Sequence, residues 1–272
     1  MKIKYYGTAA AEGWPSAFCR CPACQKARNA GGRNIRTRSQ ALIDDTLLVD
    51  LPPDTACHEF YQGLPLPDIT SMIVTHSHDD HFYPQELINR AEPFSHGLTA
   101  PLQIYGNDSV FSAYKWAAKQ DERLLKATSF HQIEPFISFK TADHTITALL
   151  ANHKKDERCY VYLVEHQGKA LLYANDTGLF PEITWDYLKG RHVDLVSMDC
   201  TMGKHRDGNY HMGLEDDREM VRRLASFGCI DDRTIRVITH FSHNGELIYD
   251  EMAEYAAEYG FLTAYDGFTV EF

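Results

Sequence analysis

Four potential metal donors fall within six residues of this chain, in Thr75-His76-Ser77-His78-Asp79-Asp80-His81. His76 and His78 stand two apart, so in an extended segment both imidazoles leave the same side and can grip one cation. Asp80 and His81 must then diverge from that pair in a turn. Two neighbouring ions are the natural reading. Imidazole suits zinc, iron or manganese, and a carboxylate adds a hard oxygen ligand that favours a hydroxide held between the ions. The chemistry open to such a pair is hydrolysis.

The elements that must present this cluster are legible on either side. Ile69-Thr70-Ser71-Met72-Ile73-Val74 is short, apolar and β-branched, the pattern of a buried strand. Pro84, followed by residues 85–90, marks a helix start. The histidines therefore occupy a strand-to-helix loop, where α/β sheets place their ligands. Later strand-like runs also end on polar residues: His153 after 146–152, Asp176 after 170–175, Asp199 after 193–198 and His240 after 235–239. Hairpins are expected at Asp44-Asp45 and Gln167-Gly168. Further helices are expected over 108–126, capped by Asp108 or Ser109, and over 181–188, 214–227 and 249–259. The polar, glycine-bearing loop 201–213 reads as a substrate-facing element.

A second cluster consists of cysteines. Cys19-x-Cys21-x-x-Cys24, with Pro22 fixing the turn, has the spacing of a structural zinc knuckle. Three thiolates leave one tetrahedral position open, and His243, three residues beyond His240, is the candidate to fill it. The total of seven cysteines is odd, which fits a cytoplasmic protein better than a disulfide framework. Cys57, Cys159, Cys200 and Cys229 are isolated and read as small buried apolar residues.

The His76-x-His78-x-Asp80-His81 motif resembles the signature of the metallo-β-lactamase-fold hydrolases. His153, Asp176 and His240 match further ligands of that family in order. The similarity runs nearly end to end, from Gly7-Thr8-Ala9 through Val49-Asp50, Asn175-Asp176-Thr177-Gly178 and Met198-Asp199-Cys200-Thr201 to Thr239-His240-Phe241-Ser242-His243. Pattern alone supports an α/β protein. The resemblance implies a four-layer αββα sandwich spanning 1–272 as one domain, with the zinc knuckle near 19–24. It also implies one ion held by His76, His78 and His153, another by Asp80, His81 and His240, and Asp176 between them giving an oxygen to each. Asp50 would orient a metal-binding histidine. His211 matches the family's non-ligand histidine, suited to holding a phosphoryl oxygen or protonating a leaving group.

The knuckle narrows the resemblance to the branch that opens cyclic phosphates of ribose, and to a related branch in cofactor biosynthesis. The expected function is hydrolysis of a phosphodiester by a metal-bridging hydroxide, with Asp80 and His211 catalytic. The expected substrate is a small cyclic phosphate such as a ribose 1,2-cyclic phosphate. The expected cofactors are two manganese, zinc or iron ions and one structural zinc. A lactone or acyl-ester hydrolase and a non-catalytic metal-binding accessory protein are the alternatives. The loops 9–15 and 204–210 depart from the phosphodiesterase pattern and are expected to border the pocket.

Composition limits the partners. With 27 basic and 38 acidic side chains the net charge is −11, which argues against a general nucleic-acid binder and leaves a small phosphate ester as substrate. No apolar run approaches the roughly twenty residues that span a membrane, so a cytoplasmic location is expected. Exposed loops and many tyrosines would permit a homodimer. Arg28, Arg33, Arg36 and Arg38 are expected as solvated surface, as is His205, and Phe111, Tyr114 and Trp116 as packing.

Overall fold

The computed structural model describes residues 1–272. Its first sheet contains β1 (Lys2–Gly7), β2 (Gln40–Ile43), β3 (Leu47–Val49), β4 (Ser71–Ile73), β5 (Leu102–Gly106) and β6 (Thr128–Gln132). The second contains β7 (Ser138–Lys140), β8 (Thr145–Leu150), β9 (Tyr160–His166), β10 (Lys169–Ala174), β11 (Leu195–Asp199), β12 (Ile235–Thr239) and β13 (Leu262–Thr263). The closing strand β14 (Thr269–Glu271) returns to the first sheet beside β1. The strand orders are β14-β1-β2-β3-β4-β5-β6 and β13-β12-β11-β10-β9-β8-β7.

Period-two alternation along these strands builds the layers. Ile3 and Tyr5, with Ala41 and Ile43, face Ile146, Tyr162, Leu171 and Tyr173 across the space between the sheets. Their neighbours Leu42, Leu48 and Met72 point the other way and pack with Val110 and Tyr114 of α3 (Asp108–Gln120). On the far side Leu172, Val196 and Ile238 pack with helices α5 (Glu182–Leu188), α6 (Leu214–Ser226) and α7 (Tyr249–Ala257) through Trp185, Met220 and Met252. Three apolar layers thus hold four structural ones together, the αββα sandwich. Each large side chain buried in them stabilises the fold by about 1.5–3 kcal/mol.

Several local expectations change. The cap of α3 is Asn107, whose side chain accepts from the Val110 amide, and the helix ends at Gln120 before a separate turn, α4 (Leu124–Ala127). The segment after Pro84 is a 3-10 helix, Pro84–Arg90. Two further helices are present: α1 (Pro22–Ala30), with the turn expected at Pro22 forming its first turn, and α2 (Thr55–Gln62). Cys57 lies on α2 and is exposed, not buried. Trp116 is half exposed, whereas Tyr114 is in the core. Arg36 is buried rather than solvated. Its guanidinium donates to Thr8 Oγ1 and the Ala264 carbonyl, both at 2.7 Å, and lies 4.2 Å over the Phe241 ring. That stacking and those two acceptors replace water.

Candidate metal centre

The carboxyl ends of β3, β4, β8, β10, β11 and β12 open onto one edge of the sandwich, because β3 and β4 run parallel, as do β10, β11 and β12. Three residues just past these ends have left-handed backbones: Asp50 (φ 65°), Asp176 (φ 56°) and His240 (φ 62°). Side chains other than glycine avoid this region, so three such residues at one edge place backbone strain where the polar side chains converge.

The structure brings His76, His78, His153 and Asp176 together, with donor atoms within 4.8 Å of one another, and does the same for Asp80, His81 and His240. His76 and His153 present Nε2, at 2.9 and 3.3 Å from His78 Nδ1. His81 Nε2 lies 3.3 Å from Asp80 Oδ2 and 3.2 Å from His240 Nε2. A single oxygen, Asp176 Oδ2, joins the groups, at 3.3 Å from Nε2 of His76, His153 and His81 and 3.9 Å from Nε2 of His240. Asp176 Oδ1 instead faces His211 Nδ1 at 3.0 Å, and Asp199 Oδ2 lies 3.3 Å from the same nitrogen.

Most of the imidazoles are fixed from behind. His81 Nδ1 meets Asp50 Oδ2 at 2.7 Å, and Asp50 also accepts from the Thr75 amide at 2.8 Å. Thr75 Oγ1 is 3.0 Å from His76 Nδ1, Thr201 Oγ1 is 2.8 Å from His240 Nδ1, and the Tyr210 carbonyl is 3.1 Å from His153 Nδ1. Occupying one ring nitrogen sets the tautomer and aims the other at the shared centre. Sequence reasoning singled out Asp50 but not Thr75, Thr201 or the Tyr210 carbonyl. Nor did it find Glu157, which accepts from the Ser77 amide at 2.8 Å and its hydroxyl at 2.6 Å, tying the His76-His78 turn to the loop bearing His153. Adjacency to His76 was the only available signal for Thr75, and Thr201 lies 39 residues from the His240 it meets.

The electrostatics suit cations. Burial would raise the Asp176 carboxyl, but His240, His211, His76 and His81 outweigh it and hold it well below the usual range. Burial would lower His81, yet Asp80 and Asp50 push it well above the ordinary imidazole value. Burial does dominate at His153, drawn down to about 4, and at His78, also lowered, so both are neutral and have a lone pair to offer. Two groups of imidazole donors, all buried but the half-buried His78, around one carboxylate oxygen match the requirements of a pair of divalent ions.

The second cluster also assembles. Cys19, Cys21, Cys24 and His243 have donor atoms within 4.8 Å of one another, with His243 Nδ1 3.4 Å from Cys21 Sγ and 3.8 Å from Cys19 Sγ. Cys21 caps α1, its sulfur accepting from the Cys24 amide at 3.4 Å. Against burial, that amide and His243 draw the Cys21 thiol down to about 6. Three sulfurs and one imidazole nitrogen fit a tetrahedral zinc. His243 Nε2 lies 3.5 Å from Glu12 Oε1, to which Ser242 donates, so the divergent 9–15 loop braces this knuckle.

The divergent 204–210 stretch is folded by Asp216 at the start of α6. Asp216 accepts from Arg206 Nε at 2.8 Å and from the amides of Asp207 and Gly213 at 3.0 and 3.2 Å. Asp207 in turn accepts from the His211 amide at 3.2 Å. His205 remains half exposed beside Glu246. Gly178, two residues past Asp176, packs so closely on this loop that a Cβ would stand 2.5 Å from the carbonyl oxygens of Gly208 and Asn209. Gly178→Ala should therefore displace Tyr210 and His211 and lower any hydrolytic rate by about 10²-fold, the cost of a roughly 1 Å misplacement. Wild-type rates in the variant, measured on any substrate the protein turns over, would contradict this.

Residues 46–241 match the family model described as the β-lactamase superfamily domain, and the chain belongs to that superfamily. Within it the fold is that of the metallo-β-lactamases. The chain is similar to a diphosphatase from the PhnP family, at 19% identity and TM-score 0.76, over 100% of this chain and 97% of the other. It is similar to zinc-bound PqqB from Methylobacterium extorquens, at 19% identity and TM-score 0.73, over 100% of both. The short form of human tRNase Z aligns at 16% identity and TM-score 0.66, over 100% of this chain and 99% of the other. No curated protein matches the chain by sequence. No helix is long and apolar enough to cross a membrane.

Proposed function

We propose that the protein is a metal-dependent hydrolase of phosphodiesters, with a small cyclic phosphate such as a ribose 1,2-cyclic phosphate as its substrate. The observation that carries this reading is Asp176, one of whose oxygens lies among both groups of imidazoles while the other stands 3.0 Å from His211 Nδ1. His76, His78 and His153 would hold one divalent ion, Asp80, His81 and His240 a second, with Asp176 between them. Manganese or zinc suits this donor set, and such ions supply Lewis acidity and a water acidic enough to attack phosphorus near neutral pH.

The chain's own residues do the positioning. Asp50, Thr75, Thr201 and the Tyr210 carbonyl keep four imidazoles oriented, so little rearrangement is needed when substrate arrives. Burial would lower His211, but Asp176 and Asp199 raise it to about 11. The two carboxylates favour the imidazolium: Nδ1 lies 3.0 Å from Asp176 and 3.3 Å from Asp199, and Nε2 is left to give a proton to the departing oxygen. His211→Ala should lower kcat by about 10²–10⁴-fold. Metal content should stay unchanged; its loss alongside activity would make His211 a ligand instead.

The likeness to a diphosphatase and to tRNase Z supports phosphorus rather than a carbonyl carbon as the centre attacked. The likeness to PqqB supports a second reading, a metal-holding accessory protein of cofactor synthesis. Phosphorus NMR of ribose 1,2-cyclic 5-phosphate with manganese-loaded protein separates them. The phosphodiesterase reading predicts ring opening that is lost in Asp80→Ala. An unchanged spectrum from fully metallated protein removes this substrate, and retained metals without turnover of any ester favour the accessory role.

A further inference from the structure

We propose that Asp44, His144 and His166 form a binding site for one divalent transition ion, such as zinc, at the pole of the sandwich opposite the candidate metal centre. The three residues come from three turns: Asp44 from the turn between β2 and β3, His144 from the residue before β8, and His166 from the end of β9. Strands β3 and β8 run from this pole toward the candidate centre, which lies about 20 Å away, the length of a six-residue strand. The two sites share no residue.

One donor atom from each residue lies within 4.8 Å of the others. His144 is buried, and its Nε2 is 3.0 Å from Asp44 Oδ2. The other two are each tied to the backbone through one atom, which leaves a second donor atom for an ion. Asp44, with φ 47°, accepts from the Lys2 amide on Oδ1 at 2.6 Å. His166 donates from Nδ1 to the Asp143 carbonyl at 2.5 Å, which leaves Nε2 with a free lone pair. Fixing the non-ligating atom is how proteins orient metal ligands. Two imidazoles and one carboxylate select zinc, nickel or copper over calcium or magnesium, which prefer oxygen.

An open cleft of about 400 Å³ adjoins the cluster, lined by Asp143, Glu165, His166, His192 and Asp194 among others. It gives an ion an entry path, and water there can complete the coordination. Asp44 belongs to the first sheet and both histidines to the second, so a bound ion ties the two sheets together. That connection should appear as thermal stability, independent of hydrolysis.

The test compares wild type, His166→Ala and Asp44→Asn, each saturated with zinc and freed of loosely held metal. Bound zinc is counted after equilibrium dialysis across a range of free zinc, and melting is followed over the same range. The proposal predicts one zinc equivalent more in wild type than in either variant, or at least about tenfold weaker binding of that equivalent in the variants. It also predicts a zinc-dependent rise in Tm that His166→Ala removes. Because the His166 ring is partly exposed, that variant should fold, and circular dichroism verifies it. Equal zinc counts and equal Tm responses in all three proteins would overturn the site.

Discussion

Asp176→Ala should abolish hydrolysis, with a fall of at least about 10³-fold, equivalent to about 4 kcal/mol of lost transition-state stabilisation. The size follows from how much converges on this carboxylate. Oδ2 stands 3.3 Å from three imidazole nitrogens drawn from both groups, and Oδ1 stands 3.0 Å from His211. Removing it takes away the shared oxygen and leaves His211 with Asp199 alone. Without the carboxylate's negative charge two neighbouring divalent ions would also repel one another more strongly, so metal content should drop by one or both ions. Asp176→Asn keeps the shape and loses the charge, and should show the same loss of metal. His205→Ala, at a half-exposed residue beside Glu246, should change neither rate nor metal. Normal turnover in Asp176→Ala would show that the two imidazole groups work independently.

The largest effect on stability should come from Cys24→Ser. Cys24 is completely buried and packs in the same apolar cluster as Ala27 and Phe241, while its sulfur belongs to the knuckle with Cys19, Cys21 and His243. Burial pushes its thiol up to about 12, so without an ion to displace the proton it stays neutral. Serine offers zinc a far poorer ligand and puts a hydroxyl into apolar surroundings. One zinc equivalent should be lost with about 3–5 kcal/mol of stability, read as a lowered denaturation midpoint. Because His243 lies three residues beyond His240, loosening the knuckle should also weaken metal binding at the candidate centre. Cys57→Ser, on the exposed face of α2, should be neutral. Equal midpoints for the two serine variants would remove the structural zinc.

How much of this was legible in the sequence depended on whether the signal was local. The His76-to-His81 motif is dense, and the strand-end positions of His153, Asp176 and His240 follow from strand-like apolar runs. The layers followed from the same alternation, although the choice of a sandwich over one doubly wound sheet came from family resemblance. Helix α1 was hidden because the buried face of its sequence, PACQKARNA, is only Cys24 and Ala27, and Cys21 rather than a serine or aspartate caps it. Arg36 and Cys57 were misread because burial depends on partners distant in sequence: Ala264 and Phe241 cover the arginine, while nothing covers the thiol. The fixing residues Thr75 and Thr201 were missed for a related reason. A threonine carries no distinguishing signal until its hydroxyl is placed, whether it stands beside its histidine, as Thr75 does, or 39 residues from it, as Thr201 does.

The central claim is that two ions on one carboxylate make this chain a phosphodiesterase. The most direct measurement is the initial rate of bis(p-nitrophenyl) phosphate hydrolysis as His166→Ala protein, stripped of all metal but its knuckle zinc, is titrated with manganese. The account predicts that turnover rises until two equivalents are bound and that Asp80→Ala, which cripples one ligand group, never reaches it. Two bound equivalents without turnover of this or any cyclic phosphodiester, or full turnover at one, would contradict it.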